Sequence, residues 1–410
     1  MTVTVIDNAN VLDVDRGEIL EGQKVVIENN EIKDVSRGGP NPGDWRVIDA
    51  KGATVMPGLI DAHVHITAYA GDFGTLSRSS PSYVAAHSAR TLKRTLLRGF
   101  TTVRDVGGAD FGLAKAVEEG LFEGPRVLFG GKALSQSGGH GDMRDPGTEV
   151  LDTAYSQPGL GVVVDGVAEV RRAARAEIRR GAHHVKIMVG GGAASPTDRL
   201  DSDQFSEEEI SAVVEEAEMA NVYAVAHAYS ARTISRAARL GVRSIEHGNF
   251  LDEPTAQLMK EKGCFLVPTL AAYHMSAKYG AEAGMSATTI EKINALVAPG
   301  IQAVEIARRL GIPMAYGTDL VGTMMQEFQL QEFSLRHDVV PNDELLRSAT
   351  IVGAELVRLE KRIGRLATGY LADIIIVQGN PLRDITVLEK PESNLLLVMK
   401  EGRIYKNELR

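Results

Sequence analysis

Both ends of the chain carry short apolar runs that are typical of β-strands. Five such runs stand out, at residues 3–6, 24–27, 31–35, 372–377 and 395–399. Turn residues separate them, among them Glu28-Asn29-Asn30 and Lys400-Glu401-Gly402. Short strands bounded by turn residues predict β structure at both termini. We therefore expect residues 1–57 and 365–410 to combine into one small β-sandwich domain.

The middle of the chain alternates between strand-like and helix-like segments. The strand-like segments begin near Val55, Thr101, Arg126, His184, Tyr223, Ser244, Phe265 and Pro313. Helical patterns follow these segments, for instance at residues 82–98 and 345–360. Ser206 and Glu209 have the spacing of a capping box at the start of another helix. Eight strands that alternate with helices predict an α/β fold, a TIM-like (β/α)8 barrel, over residues 58–364. The alternative is a doubly wound open sheet. That fold typically has a glycine-rich phosphate-binding turn after its first strand, where this sequence has His63-Val64-His65.

Two segments that follow predicted barrel strands have the composition of long loops. One covers residues 135–164 and the other residues 271–290. Loops after barrel strands lie on the catalytic face, and long ones usually bind substrate or close over it. We therefore expect both loops to shape a substrate site.

Composition and charge narrow the class of protein. The 410 residues are 44% hydrophobic and 24% charged, which is ordinary for a globular protein. A net charge of −9 argues against a nucleic-acid partner. The lone cysteine, Cys264, lies in an apolar run and is expected to be a buried thiol. Neither a signal peptide nor an apolar stretch of membrane-spanning length is evident, so we expect a cytoplasmic location without membrane contact.

Polar side chains at the ends of five predicted strands indicate a metal site. His63 and His65 are two residues apart on a strand, so their side chains share one face. Later strands supply Lys186, His227, His247 and Asp319. The carboxyl ends of barrel strands converge on one mouth, and imidazole and carboxylate groups bind divalent metals. We therefore predict that these side chains share a metal centre.

Lys186 is the unusual member of this set, because it stands between Val185 and Ile187 in an apolar strand. Burying an ammonium group without a partner is costly, so burial and nearby metal charge should lower the pKa of this lysine. The neutral amine can react with CO2 to form a carbamate. The product is a carboxylate on a long arm that is able to bridge two cations.

The whole pattern resembles the amidohydrolase superfamily in its binuclear, carboxylated-lysine form. The resemblance covers essentially the whole chain and implies two Zn2+ ions held by His63, His65, Lys186, His227, His247 and Asp319. The first histidine pair and the aspartate would bind one ion, the second pair the other, and the carboxylated lysine and a hydroxide would bridge them. Mn2+ or Co2+ could replace Zn2+. Asp319 would take a proton from the attacking water and deliver it to the leaving amine.

Three further segments resemble the prolidase-like dipeptidases and metal-dependent carboxypeptidases of this superfamily, a group that is similar to imidazolonepropionase. They are residues 137–142, 194–198 and 227–229. The resemblance implies that His140 hydrogen-bonds the substrate carbonyl and that Tyr229 holds the carboxylate of a C-terminal amino acid. It also implies a homo-oligomer. The segment Val189-Gly190-Gly191-Gly192-Ala193 departs from the Ser-Gly-Gly of that group, and the departure concerns the substrate subsite.

The leading hypothesis is a binuclear-zinc hydrolase of the amide bond in dipeptides, such as Xaa-Pro, or in N-acyl amino acids. An alternative is a hydrolase of a xenobiotic amide, urea, carbamate or ester at the same site, because the metals act on the carbonyl and the loops select the rest. A further alternative is a mononuclear enzyme acting on a cyclic amide or amidine, against which Lys186 argues. Two roles stay open: Arg104 either pairs with Asp105 or supports the site, and His274 could touch substrate.

Overall fold

The computed structural model describes residues 3–37, 39, 43, 45–144 and 158–409. Its strands are β1 (Val3–Asp13), β2 (Glu18–Glu28), β3 (Glu31–Arg37), β4 (Arg46–Asp49), β5 (Thr54–Pro57), β6 (Leu59–Val64), β7 (Phe100–Asp105), β8 (Arg126–Phe129), β9 (Ala133–Ser135), β10 (Gly161–Val163), β11 (His184–Met188), β12 (Tyr223–Ser230), β13 (Ser244–Phe250), β14 (Phe265–Val267), β15 (Ile374–Val377), β16 (Leu395–Lys400) and β17 (Arg403–Asn407).

The helices are α1 (Phe73–Ser77), α2 (Pro81–Leu97), α3 (Phe111–Glu118), α4 (Val167–Arg179), α5 (Glu207–Met219), α6 (Ala231–Arg239), α7 (Glu253–Glu261), α8 (Leu270–Tyr279), α9 (Ala287–Leu310), α10 (Glu332–His337), α11 (Asn342–Ser348), α12 (Ile351–Leu356) and α13 (Pro391–Asn394). Two 3-10 helices span Met325–Gln331 and Ile385–Glu389. Among the described residues, no helix is long and apolar enough to cross a membrane.

Strands from both chain ends combine into one separate sheet, which confirms that the two ends form a common β unit. Its order is β17-β16-β15-β5-β1-β2-β3, with β4 beside β1. The two ends meet where β5 runs antiparallel to β15, with Met56 opposite Ile375. Its buried apolar side chains form a core of their own, which includes Ile6, Val25, Val55, Ile374 and Leu397. The exact domain boundaries at residues 57 and 365 stay a prediction.

Parallel strands in the middle of the chain close into a barrel. Strands β6-β7-β8 form one run, and β9-β11-β12-β13-β14 form another. The His183 amide donates to the Phe129 carbonyl at 2.9 Å and links the two runs. Beyond β14, Met314 pairs with Leu266, and the Ala62 amide donates to the Tyr316 carbonyl at 2.8 Å, which closes the ring on β6. The barrel prediction is confirmed.

Side chains at the helix starts explain why the chain turns from strand to helix. Ser206 and Glu209 form the predicted capping box, in which each side chain bonds the other's backbone N–H. Aspartate or serine side chains accept first-turn N–H groups at five further helices: Asp72, Asp110, Ser230, Asp252 and Ser286. Each cap satisfies donors that have no partner within the helix.

Three sequence-based segment assignments are wrong. The first barrel strand begins at Leu59 rather than near Val55, because residues 54–57 pair in the terminal sheet and Gly58 separates the two strands. Residues 271–290 are not a loop throughout, since α8 continues to Tyr279 and α9 begins at Ala287. Residues 345–360 are not one helix, because Thr350 has non-helical angles and divides α11 from α12. Much of the segment 135–164 lies outside the described residues.

Candidate metal centre

Three residues at the barrel mouth adopt the left-handed backbone region, where non-glycine residues are uncommon. They are His247, Thr269 and Asp319, with φ of 76°, 50° and 52°. Thr269 Oγ1 lies 2.8 Å from His247 Nδ1, which is 3.9 Å from Asp319 Oδ2. Such backbone strain costs about 1–3 kcal/mol and concentrates at functional sites. The strain here brings three strand-end side chains together.

His63, His65 and Asp319 form the tightest predicted metal-ligand group. One ligand atom from each lies within 4.8 Å of the others. The Nε2 atoms of His63 and His65 are 3.4 Å and 3.2 Å from Asp319 Oδ1. Contacts with these imidazoles hold the pKa of Asp319 well below its ordinary value, although burial alone would raise it. The carboxylate is therefore ionised.

The hydrogen bonds behind these two histidines determine which ring nitrogens face Asp319. His63 Nδ1 lies 2.7 Å from Glu246 Oε2, and His65 Nδ1 lies 2.7 Å from the Gly107 carbonyl oxygen. Both partners only accept, so each Nδ1 carries a proton and Nε2 is the ring atom that faces Asp319. Without a metal, an Nε2–H group can donate to the Asp319 carboxylate, which agrees with the lowered pKa of Asp319 and with the pKa of His65, which Asp319 raises against the effect of burial. A divalent cation would displace such a proton and bind the Nε2 atoms and the carboxylate, so this donor set fits a metal.

Glu246 and Arg104 support the site from behind. Arg104 Nη2 donates to Glu246 Oε1 at 2.8 Å, and both side chains are unexposed. Arg104 Nε also donates to the Ala62 carbonyl at 2.6 Å. The open question about Arg104 is thereby answered: it supports the site through Glu246 and His63 rather than pairing with Asp105. Glu246 was not predicted from the sequence. The signal was an arginine and a glutamate, Arg104 and Glu246, each within an apolar strand, which indicates a buried ion pair.

Asp105 holds the neighbouring loop instead. Its carboxylate accepts the backbone N–H groups of Ile66, Gly107 and Ala109, at 2.6 Å, 3.0 Å and 3.1 Å. The loop so fixed carries the Gly107 carbonyl that orients His65. Asp105 therefore shapes the site through the backbone.

His227 and His247 lie beside the first group, with 4.6 Å between their ring centroids. The His247 ring is 5.0 Å from that of His63. His227 Nε2 donates to the Gly191 carbonyl at 3.0 Å, which leaves Nδ1 for a ligand. Burial lowers the pKa of both rings well below the ordinary value, so both are neutral, as metal ligands must be. His227 and His247 therefore lie next to the first group of predicted ligands but are not part of it.

Lys186 lies inside the barrel and is 1% exposed. Its Nζ atom has no hydrogen-bond partner among the described residues. Burial lowers the pKa of this amine to about 8, while the charges of Glu246 and Asp319 act in the opposite direction. An unpaired buried amine with a lowered pKa fits the predicted carbamate, because only the neutral amine reacts with CO2.

The two predicted substrate residues also reach the site. The His140 ring stacks on that of His227 at 4.2 Å, and Tyr229 lies edge-on to the same ring at 4.7 Å. Tyr273 donates its hydroxyl to that of Tyr229 at 3.2 Å, and both tyrosines are buried. His274, by contrast, lies in α8, half-buried, and its Nε2 has no partner in the described part of the chain. The substrate roles of His140, Tyr229 and His274 stay predictions.

Comparisons with known proteins agree with this arrangement. A family profile described as the amidohydrolase family matches residues 54–405. Ochratoxinase from Aspergillus niger is 34% identical over 365 residues, which cover 86% of this chain and 75% of that protein.

Two solved structures are similar over nearly the whole chain. A prolidase complexed with N-methylphosphonate-L-proline is 45% identical, with a TM-score of 0.96 and coverage of 99% of this chain and 100% of that chain. A Xaa-Pro dipeptidase with bound methionine in its active site is 31% identical, with a TM-score of 0.89 and coverage of 99% and 100%. The family resemblance inferred from the motifs is confirmed. The chain belongs to the amidohydrolase family and is a hydrolytic enzyme that acts on C–N bonds.

Proposed function

We propose that the protein is a binuclear metal-dependent hydrolase of dipeptides or N-acyl amino acids, with Xaa-Pro dipeptides as the leading substrates. The observation that carries the proposal is the convergence of three metal-ligating side chains, those of His63, His65 and Asp319, next to the unpaired amine of Lys186. Likeness to a prolidase and to a Xaa-Pro dipeptidase supports the substrate class.

Six side chains would hold two divalent cations, for which we propose Zn2+: His63, His65, Lys186 as a carbamate, His227, His247 and Asp319. The carbamate forms when the neutral amine attacks CO2 and loses one proton. When bound, the two ions polarise a carbonyl group and acidify a water molecule. His, carboxylate and carbamate ligands suit Zn2+, and Mn2+ or Co2+ would fit the same donors.

Asp319 would move the proton of the reaction. Its pKa is held well below the ordinary value by His63 and His65, against the effect of burial, so the carboxylate starts unprotonated. It can therefore accept a proton from the attacking water and pass it to the leaving amine. Without that transfer, the amine would have to leave as an unstable anion.

Tyr229 and His140 would position the substrate. Because the Tyr273 hydroxyl donates to the Tyr229 oxygen, the proton of Tyr229 is left for another acceptor. A substrate carboxylate is such an acceptor, which fits an amino acid with a free C-terminus. His140, stacked on His227, would contact the carbonyl oxygen of the scissile amide.

The test is hydrolysis of an Xaa-Pro and N-acyl amino acid panel by the zinc-loaded protein. Tyr229→Phe should raise KM for these substrates at least tenfold and should leave a neutral urea or ester unaffected. Tyr370→Phe is the matched control, since its hydroxyl bonds the Glu360 carbonyl near the terminal sheet. Turnover of no member of the panel would refute the dipeptidase proposal.

A second candidate keeps the metals and changes the substrate to a xenobiotic amide, urea, carbamate or ester. The 34% identity to ochratoxinase, a protein named for a toxin, supports it. Turnover of a neutral amide that is insensitive to Tyr229→Phe would favour this candidate over the dipeptidase.

A further inference from the structure

The loop that follows β11 contacts His140 through two side chains, and a third side chain contacts these two. His140 Nδ1 lies 2.9 Å from Ser195 Oγ, and the His140 backbone N–H donates to Gln204 Oε1 at 2.9 Å. The Ser195 hydroxyl in turn donates to Asp198 Oδ1. Ser195 and Asp198 are 2% and 9% exposed. Hydrogen bonds therefore connect His140 to Ser195 and Ser195 to Asp198, leading away from the candidate metal centre. The serine and the aspartate belong to the segment 194–198, to which the proposed function assigns no role.

The contacts of Asp198 determine the direction of the hydrogen bonds that link His140, Ser195 and Asp198. Its Oδ2 atom accepts the Gly192 backbone N–H at 3.0 Å and the Gln204 amide at 2.8 Å. Lys292 Nζ lies 3.7 Å from its Oδ1 atom. The Ser195 hydroxyl has a second acceptor in range, the Gly192 carbonyl at 3.3 Å, but Asp198 Oδ1 is the nearer one, so the single proton of Ser195 points to Asp198. The Ser195 oxygen is then left to accept the Nδ1–H of His140.

Lys292 holds this loop from helix α9. Its ammonium group donates to the carbonyl oxygens of Gly192, Ser195 and Asp198, at 3.3 Å, 3.0 Å and 2.7 Å. Three charge-assisted hydrogen bonds from one side chain restrict both ends of the segment 192–198. The serine and the aspartate are thereby held in place before substrate binds.

We propose that Ser195 and Asp198 are positioning residues for His140: they fix the plane of its ring and keep its proton on Nδ1. The Nε2 atom, which no described residue engages by a hydrogen bond, is then left for substrate. In this tautomer Nε2 accepts a hydrogen bond, whereas donation from Nε2 to a carbonyl oxygen would need the other tautomer, so the position of the ring proton also bears on the role proposed for His140 at the scissile carbonyl. The kinetic part of this inference rests on the proposed function, whereas the position of the ring proton does not.

Asp198→Asn should reverse the ring tautomer. The Gly192 N–H and the Gln204 amide still need an acceptor, so the new amide would turn its oxygen to them and its NH2 group to Ser195. The Ser195 hydroxyl would then donate to His140 Nδ1 at 2.9 Å rather than to the more distant Gly192 carbonyl at 3.3 Å, and the proton of His140 would move to Nε2. Ser202→Ala is the matched control, because the Ser202 hydroxyl bonds the Arg199 carbonyl of the same loop and, among the described residues, nothing else.

The first experiment reads the tautomer by long-range 1H–15N NMR of the zinc-loaded protein with 15N-labelled histidine rings, with His140→Gln identifying the signal. We expect Nδ1–H in the natural protein and in Ser202→Ala, and Nε2–H in Asp198→Asn. An Nε2–H ring in the natural protein, or an unchanged ring in Asp198→Asn, would overturn the proposal. No substrate is needed, so this result is independent of the dipeptidase assignment.

The second experiment is a double-mutant cycle on kcat/KM with whichever substrate the panel identifies. Ser195→Ala should lower kcat at least tenfold with little change in KM, and should cost less than twofold in the His140→Ala background. Equal losses in both backgrounds would mean a general structural role and would overturn the proposal. Zinc content and unfolding midpoints of each variant verify that the centre and the fold are intact.

Discussion

Glu246→Gln tests the buried charges that support the metal centre. The Glu246 carboxylate receives hydrogen bonds from His63, Arg104 and Ser244, and neither it nor the guanidinium is exposed. Glutamine has nearly the same shape but only one acceptor oxygen. Either Arg104 or His63 must then face an NH2 donor, and the guanidinium loses its counter-charge.

The expected magnitude follows from burial. Removing one partner of a buried ion pair leaves an uncompensated charge and costs about 3–5 kcal/mol of stability. The Arg308–Glu344 pair has comparable geometry, at 2.8 Å, but both side chains are 41% exposed. Glu344→Gln should therefore cost only about 0–1 kcal/mol, which makes it a matched control. Loss of a residue that orients a metal ligand also weakens metal affinity roughly 10- to 100-fold.

Urea unfolding of the metal-free protein and zinc competition with a chelator measure the two effects separately. We expect Glu246→Gln to lower the unfolding midpoint far more than Glu344→Gln does. We also expect Glu246→Gln to weaken zinc binding and Glu344→Gln to leave it unchanged. Equal midpoints for the two variants, together with unchanged zinc affinity, would refute the reasoning.

Three further predictions concern buried and half-buried charged groups. Arg104 and His63 hold the pKa of Glu246 well below its ordinary value despite burial. The contribution of this carboxylate to stability should therefore be present above about pH 5 and be lost as pH falls. Acid unfolding of Glu246→Gln should accordingly depend less steeply on pH than that of the natural protein. Reactivation of the metal-free enzyme by bicarbonate and zinc should accelerate as pH rises from 6 to 8, because the pKa of Lys186 is about 8 and only the neutral amine forms a carbamate; a rate that does not change over this interval would contradict that requirement. Lys292→Met should speed hydrogen exchange in residues 190–204, whereas Lys278→Met, which alters a lysine that lies over the Tyr279 ring, should not.

The sequence predicted the barrel and the strand-end ligand candidates because both depend on local spacing. Alternation of strands and helices is visible in the apolar pattern, and His63 and His65 share a face by strand geometry alone. The assignment of a first strand near Val55 failed because Pro57-Gly58 divides one continuous apolar run between two sheets.

Other features depend on residues that are distant along the chain. Helix α8 has a segment composition typical of a loop, but packing against its neighbours buries six of its ten residues. The contact between His140 and Ser195 joins two loops that are 55 residues apart, and its proton direction depends on the donors around Asp198. Such contacts follow from tertiary structure and cannot be read from spacing.

The central claim is that each chain binds two divalent metal ions, one of them dependent on a carboxylated Lys186. Elemental analysis of the protein after saturation with zinc in the presence of bicarbonate tests it most directly. The account predicts close to two zinc ions per natural chain and at most one in Lys186→Met. One ion per natural chain under saturating zinc, with the same value in Lys186→Met, would contradict the account and favour a mononuclear site.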